Sequence, residues 1–336
     1  MAITPEPQNE PAPSTLLLPD GLSNNDVTAY HALRTGAAWW EADVSWSSFV
    51  GDKAADALNG LVTNDVASML PGDVLHAAAL SPKGKLVTDM YVVRDDASTF
   101  HLCVRSNAQS AWVDLARKYV NPRLCKVLDE RSSYRTFVVC GTRATGMIAS
   151  IADMPSHGIA VPGANELPAM MLRVASEHAD ETCRALESAG ILRGSAALAE
   201  VVRVEQGRPA IGVDMDENTI PQEANLDTLG AISFTKGCYT GQETVARVHF
   251  RGHVNRHLRG LMADVALPTG AQVTDANGKV VGDVRSSALS PRFGAIAMGM
   301  IRREITVGST VSVGGTDGAI SAHVVELPFR DKQSPE

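Results

Sequence analysis

The sequence has no two cysteines placed to act together. Cys103, Cys125, Cys140, Cys183 and Cys238 are odd in number, widely spaced and form no C-x-x-C pair. That excludes a zinc or iron–sulfur site held within this chain by cysteines alone, and it fits reduced thiols better than a disulfide framework. A basic surplus is missing too: 30 Lys and Arg stand against 38 Asp and Glu, a formal charge of −8. Proteins that grip a nucleic-acid backbone usually show the opposite balance or a dense basic stripe, so no direct nucleic-acid partner is expected. No run approaches the roughly 18 apolar residues of a membrane span. Met1 to Pro13 has neither the basic nor the apolar region of a secretory signal. It carries Pro5, Pro7, Pro11 and Pro13 among Glu6, Gln8, Asn9 and Glu10, which predicts a disordered tail over residues 1–24. A cytoplasmic protein without a membrane partner is expected, acting as a monomer.

What is present is an ordinary globular balance, 44% hydrophobic and 20% charged over 336 residues, enough for two or three domains. Asn25 to Arg34 reads as a helix capped by Asn24 or Asn25, and Asp52 is placed to cap a second helix through Leu61. Val74 to Leu80 and Leu86 to Val93 read as strands joined by the hairpin Ser81-Pro82-Lys83-Gly84, followed by strand Phe100 to Arg105 and helix Ala108 to Tyr119. The same grammar recurs from Tyr134, with strands at Tyr134 to Cys140 and Ala169 to Val174 and a helix ending before Gly190. From about Leu258 helix signals vanish and short β segments alternate with turns such as Asp275-Ala276-Asn277-Gly278, predicting a small all-β barrel or sandwich. The expected class is α+β followed by all-β, with units at 25–134, 135–250 and 251–330.

The chemistry concentrates between Arg203 and Gly260. Gly237 and Gly241 bracket Cys238, so the backbone can turn sharply and leave the sulfur uncovered. Gly241 to Val248 reads as a helical turn, and Lys236 lies two residues before the thiol. A cationic, helix-terminal setting favours thiolate, available as nucleophile or soft-metal ligand. The competing reading is an inert buried cysteine. His249, His253 and His257 recur every four residues, but Gly252 interrupts them, and in an extended chain such residues lie about 13 Å apart. Metal binding by these histidines is not expected. Trp39–Trp40 is read only as core packing.

The string Lys236-Gly237-Cys238-Tyr239-Thr240-Gly241-Gln242-Glu243 resembles the signature of the YgfZ family, homologous to the T-protein (aminomethyltransferase, GcvT) of the glycine cleavage system. Leu58 to Asp65, Leu80 to Lys85, Arg203-x-Glu205-x-Gly207 with Gly212, Asp214, Pro221 and Glu223, and Phe250-Arg251-Gly252 resemble the family's other patterns, so the likeness spans about residues 28 to 328. The resemblance implies a GcvT-like three-domain ring around a central folate pocket with a C-terminal all-β barrel. It implies tetrahydrofolate or a derivative as cofactor, with Glu205 at the pterin and Arg105 and Asn107 lining the pocket. It further implies an accessory role in assembly or repair of iron–sulfur proteins, with Cys238 and Lys236 as the reactive pair. Cys238 would meet only a transient cluster shared with a partner, and effects on tRNA modification would be indirect. T-proteins carry paired acids where this chain has Thr88-Asp89, and they lack the Lys-Gly-Cys-Tyr string. Asp89 keeps open a second reading, one-carbon or aminomethyl transfer to folate with Asp89 as acid or base. A folate-binding scaffold with a merely structural Cys238 is the third.

Overall fold

The computed structural model describes residues 21–152, 157–161, 167–315 and 318–331. Most of the tail expected at 1–24 lies outside these. Its last residues are ordered: Ser23 caps α1 (Asn24–Ala32) and closes a capping box with Asp26, displacing the asparagines expected in that role.

The first half of the chain runs α1, β1 (Ala38–Glu41), β2 (Val44–Val50), α2 (Ala54–Asn59), β3 (Val74–Leu80), β4 (Leu86–Arg94), β5 (Thr99–Arg105), α3 (Gln109–Tyr119) and β6 (Lys126–Asp129). There follow β7 (Tyr134–Cys140), α4 (Ala144–Ala149), β8 (His157–Ala160), β9 (Ala169–Ala175), α5 (Ala179–Ser188), β10 (Leu192–Arg193) and α6 (Ala196–Glu205). A long irregular stretch leads to α7 (Gln242–Arg251), and the chain closes with β11 (Arg256–Ala263), β12 (Gln272–Thr274), β13 (Val280–Ser290), β14 (Gly294–Arg302), β15 (Thr310–Gly315) and β16 (Gly318–Val325). These six last strands form a closed barrel, and the others form two five-stranded sheets, β3-β4-β5-β2-β6 and β10-β1-β7-β9-β8. The α+β organisation and the all-β barrel are as expected.

The two sheets repeat one local plan. β2 ends at Gly51 (φ +146°) before α2, and β7 ends at Gly141 (φ +139°) before α4. A Cβ would sit 2.7 Å from the Leu124 carbonyl at Gly51 and 2.5 Å from the Gly36 carbonyl at Gly141, so both turns demand glycine. β5 and β9 each run through a single tight turn into an amphipathic helix. The repeat is not cleanly divided at residue 134, because β1 pairs with β7 and β10 in the second sheet while β2 pairs with β5 in the first. The crossing at Ala42–Asp43 joins the sheets and forms part of the cavity described below. It also accounts for Trp39–Trp40: successive strand residues face opposite sides. Trp39 packs edge-on against Phe137 at 5.5 Å, whereas Trp40 faces α1 and α6 and the cavity.

Candidate functional site

A cavity of about 480 Å³ opens where the crossing meets α6 and the two sheets, within the range of small-molecule sites. Trp40, Val44, Val138 and Met171 give it apolar wall, and acids, arginines, His76 and Tyr91 line the rest. Asp89 and His76 lie on adjacent strands, with carboxylate and imidazole 2.9 Å apart, and the His76 ring stacks on Tyr91 at 5.1 Å. Arg208 donates to the Tyr91 hydroxyl. Burial pushes the Tyr91 hydroxyl above its usual range, so it stays a neutral phenol.

Glu200 and Arg203, one turn apart on α6, also line the cavity and pair at 2.5 Å. Burial alone would raise Glu200, but the Arg203 guanidinium overrides it and holds the carboxyl below the usual range. Arg203 reaches further, to Asp214 at 2.6 Å, and is thereby saturated. Two donors are not. Arg105 Nε and Gln206 Nε2 are buried, line this cavity or belong to residues that do, and have no hydrogen-bond partner among the described residues. A buried donor left unmade costs about 1–3 kcal/mol, so acceptors on a ligand here would be favoured.

The residues expected at the folate pocket therefore separate. Arg105 and Asp89 line the cavity. Asn107 does not; its amide donates to the Ile211 carbonyl at 3.1 Å and packs against Gly212. Glu205 does not line it either. It faces away from the cavity, accepting from Tyr30 Oη at 2.6 Å and from the Ser290 hydroxyl. Burial pushes its carboxyl up and the Tyr30 hydroxyl up as well. The reason is helical phase: Glu205 lies two residues past Arg203, on the side of α6 that meets α1 and the barrel. The carboxylate that faces the cavity from this helix is Glu200, five residues earlier and on the other side of the helix. His76, Tyr91, Glu200 and Gln206 were missed, since only the β3–β4 register and the seating of α6 bring them together.

The cysteine string forms a second feature. Tyr239 is buried in a cluster with Leu80, Leu86 and Val245, and Gly241 (φ +81°) caps α7 with its Cα against the Ser81–Gly84 hairpin. Thr240 N–H donates to the Gly60 carbonyl at 3.0 Å. Thus the two N-terminal patterns, 58–65 and 80–85, form the seat of the cysteine loop. Cys238 itself is exposed and lines no part of the cavity, so the inert buried alternative does not describe it. Lys236 points the other way: its ammonium donates to the carbonyls of Asn59, Val62 and Asn64 at 2.6, 2.7 and 2.8 Å. Burial draws its pKa down to about 8, leaving it an ammonium at neutral pH. Its expected partnership with the thiol is corrected: all three protons are spent on backbone, so it positions the loop. Glu243 and Gln242 begin α7. Among the described residues no group of His, Cys, Asp and Glu could hold a metal ion, and His249, His253 and His257 lie on a helix, a loop and a strand respectively. No helix among them is long and apolar enough to cross a membrane.

The chain matches the model of the GCVT N-terminal domain over residues 27–174 and that of the glycine cleavage T-protein C-terminal barrel domain over residues 256–331. It is 31% identical over 272 residues to the tRNA-modifying protein YgfZ of Escherichia coli O7:K1, covering 77% of this chain and 76% of that protein. The chain belongs to the YgfZ family. YgfZ of Shigella sonnei is 30% identical over 271 residues, with the same coverages of 77% and 76%. Among solved structures, the glycine cleavage system aminomethyltransferase T from Bartonella henselae superposes with a TM-score of 0.80 at 18% identity, covering 91% of this chain and 89% of that one. The last likeness concerns the fold, which is GcvT-like.

Proposed function

We propose that this protein is a folate-binding accessory factor for assembly or repair of iron–sulfur proteins, supporting tRNA modification indirectly. The observation that carries the reading is a cavity of about 480 Å³ in a GcvT-like fold, bordered by two residues with unfilled buried donors, Arg105 (Nε) and Gln206 (Nε2). These residues fit tetrahydrofolate or a derivative, whose heterocycle and amide carry the acceptors they lack; Trp40 and Tyr91 supply flat apolar surface. When bound, the folate would supply a one-carbon carrier. The protein's own contribution is to exclude water with the apolar wall, orient the ligand with Arg105 and Gln206, and hold Asp89 and His76 beside it. Cys238 lies outside this pocket, so its thiol acts on what a partner protein presents, an iron–sulfur cluster being cargo rather than a resident group. The name of the YgfZ relatives supports a link to tRNA modification, and the chain's net charge of −8 favours an indirect one.

Calorimetric titration with tetrahydrofolate tests the reading. Wild type and Cys238→Ser should bind alike, whereas Arg105→Met and Gln206→Leu should bind about tenfold or more weakly, one lost donor being worth about 1–3 kcal/mol. Absence of binding by wild type ends the proposal.

The Asp89–His76 pair favours a second reading, one-carbon or aminomethyl transfer to the bound folate with Asp89 moving a proton. Turnover with an aminomethyl-lipoyl carrier protein and tetrahydrofolate, abolished in Asp89→Asn, would decide for it.

A further inference from the structure

An exposed thiol needs something to bring its partner to it, and the helix that follows the cysteine loop has an outer face that the described residues leave exposed. Val245 turns α7 inward, buried against Leu80, Leu86 and Tyr239. On the opposite side Arg247, Phe250 and Arg251 recur at i, i+3 and i+4, so they form one exposed stripe. Phe250 is 66% exposed, an unusual position for a phenylalanine. The side chains of Arg247 and Arg251 have no hydrogen bond or ion pair with any described residue. Exposed Lys83 joins them: its carbonyl accepts from Thr244 Oγ1 at 3.1 Å, which sets it beside the first turn of α7.

This stripe is tied to the thiol. The His249 ring stacks on Phe234 with centroids 3.6 Å apart, and Phe250 stands edge-on to His249 at 4.7 Å. Phe234 lies four residues before Cys238 and Gly241 three after, so both ends of the loop are held by α7. A helix of this length spans about 15 Å, so thiol and stripe fit within the footprint of a single standard interface.

We infer that the Lys83–Arg247–Phe250–Arg251 face of α7 is the docking surface through which an acidic protein partner is brought to Cys238. The inference rests on the functional reading above and names the partner's chemistry: a net acidic surface with an apolar recess for Phe250, bordering a metal- or sulfur-bearing centre. Three cations without an ion-pair partner among the described residues, on a chain with net charge −8, select such a surface by charge complementarity. Aromatic and arginine side chains are the types that carry most binding energy at interfaces. Nucleic acid fits less well: three cations make few phosphate contacts against the overall negative charge, and the thiol requires a soft partner.

The test is photocrosslinking in cells with the full-length protein, p-benzoylphenylalanine replacing Phe250, and mass-spectrometric identification of the adduct. The expected result is a dominant adduct with an iron–sulfur protein, mapped to an acid-rich segment, its yield falling at least tenfold with Arg247→Glu/Arg251→Glu. The same probe at Leu70, 68% exposed elsewhere on the surface, should not give that adduct. Crosslinks to RNA, an adduct shared with position 70, or a yield indifferent to charge reversal each overturn the inference. Tetrahydrofolate calorimetry on the charge-reversed protein separates the two claims. Loss of folate binding in wild type removes the functional reading, whereas loss of the charge-dependent adduct with folate binding intact removes only the docking surface.

Discussion

Lys236 Nζ donates to the Val62 carbonyl at 2.7 Å, and this bond fastens the cysteine loop to a segment 174 residues earlier in the chain. With the Asn59 and Asn64 carbonyls it completes the three acceptors an ammonium can use. Lys236→Ala removes every donor at once and leaves a void where the side chain lay. We expect a loss of about 2–4 kcal/mol in urea unfolding, together with proteolytic sensitivity near Cys238. A change under about 0.5 kcal/mol would show that the loop is held by Tyr239 and Thr240 instead.

The cysteines should react in an order set by exposure. Cys238 is exposed and Cys183 half-buried, whereas Cys103, Cys125 and Cys140 are buried. Burial pushes the Cys140 thiol up to about 12 and the Cys103 thiol up as well. With iodoacetamide on native protein between pH 7 and 9, Cys238 should be modified first and Cys103 and Cys140 only after denaturation. Cys238→Ser should leave the melting temperature unchanged, because Cys238 is exposed. Rapid native alkylation of Cys140 would mean that the cavity wall opens.

These two outcomes also mark what the sequence could and could not disclose. Gly237 and Gly241 announced an uncovered sulfur, and the Ser81–Gly84 turn announced the β3–β4 hairpin, because both signals are local. The direction of Lys236 was hidden, since its acceptors come from residues 172 to 177 positions away. Lysine beside cysteine in sequence suggests a charge effect that three distant carbonyls cancel. The surroundings of Glu205 were hidden for the same reason: Tyr30 and Ser290, its partners, lie 175 and 85 positions away. The sheet exchange at Ala42 was equally illegible. No periodicity in residues 38–50 tells which sheet a strand will join.

The relocation of Glu205 makes a pH prediction. Its folded-state pKa is raised by burial, so the folded protein holds this proton more tightly than the unfolded chain does. That contribution is fully present below the ordinary glutamate pKa of about 4.3 and is lost as pH rises through the folded value. Glu205→Gln keeps an acceptor for Tyr30 and Ser290 without the charge. Relative to wild type it should gain stability as pH rises from about 4 and then level off, as followed by urea midpoints across pH. Its tetrahydrofolate affinity should match wild type. A large loss of affinity would return Glu205 to the ligand site and contradict the cavity assignment.

Arg203 joins the cavity to the barrel and supports the strongest stability prediction. Asp214 is fully buried, and its carboxylate receives Arg203 Nη1 at 2.6 Å, Ser286 Oγ from β13 at 2.6 Å and the Ala210 N–H at 2.9 Å. Arg203→Met keeps the apolar stem but strands the carboxylate without its cation. Breaking a buried pair from one side costs about 3–5 kcal/mol, whereas removing both charges together is often close to neutral. Asp214→Leu in the Arg203→Met background should therefore restore much of the loss, giving a coupling of at least about 1 kcal/mol in a double-mutant cycle. Glu200 loses the same guanidinium, so Arg203→Met should also disturb ligand binding in the cavity, and the double variant should not repair that. Additive effects on stability, with no recovery in the double variant, would mean that the pair does not act as the joint between α6 and the barrel.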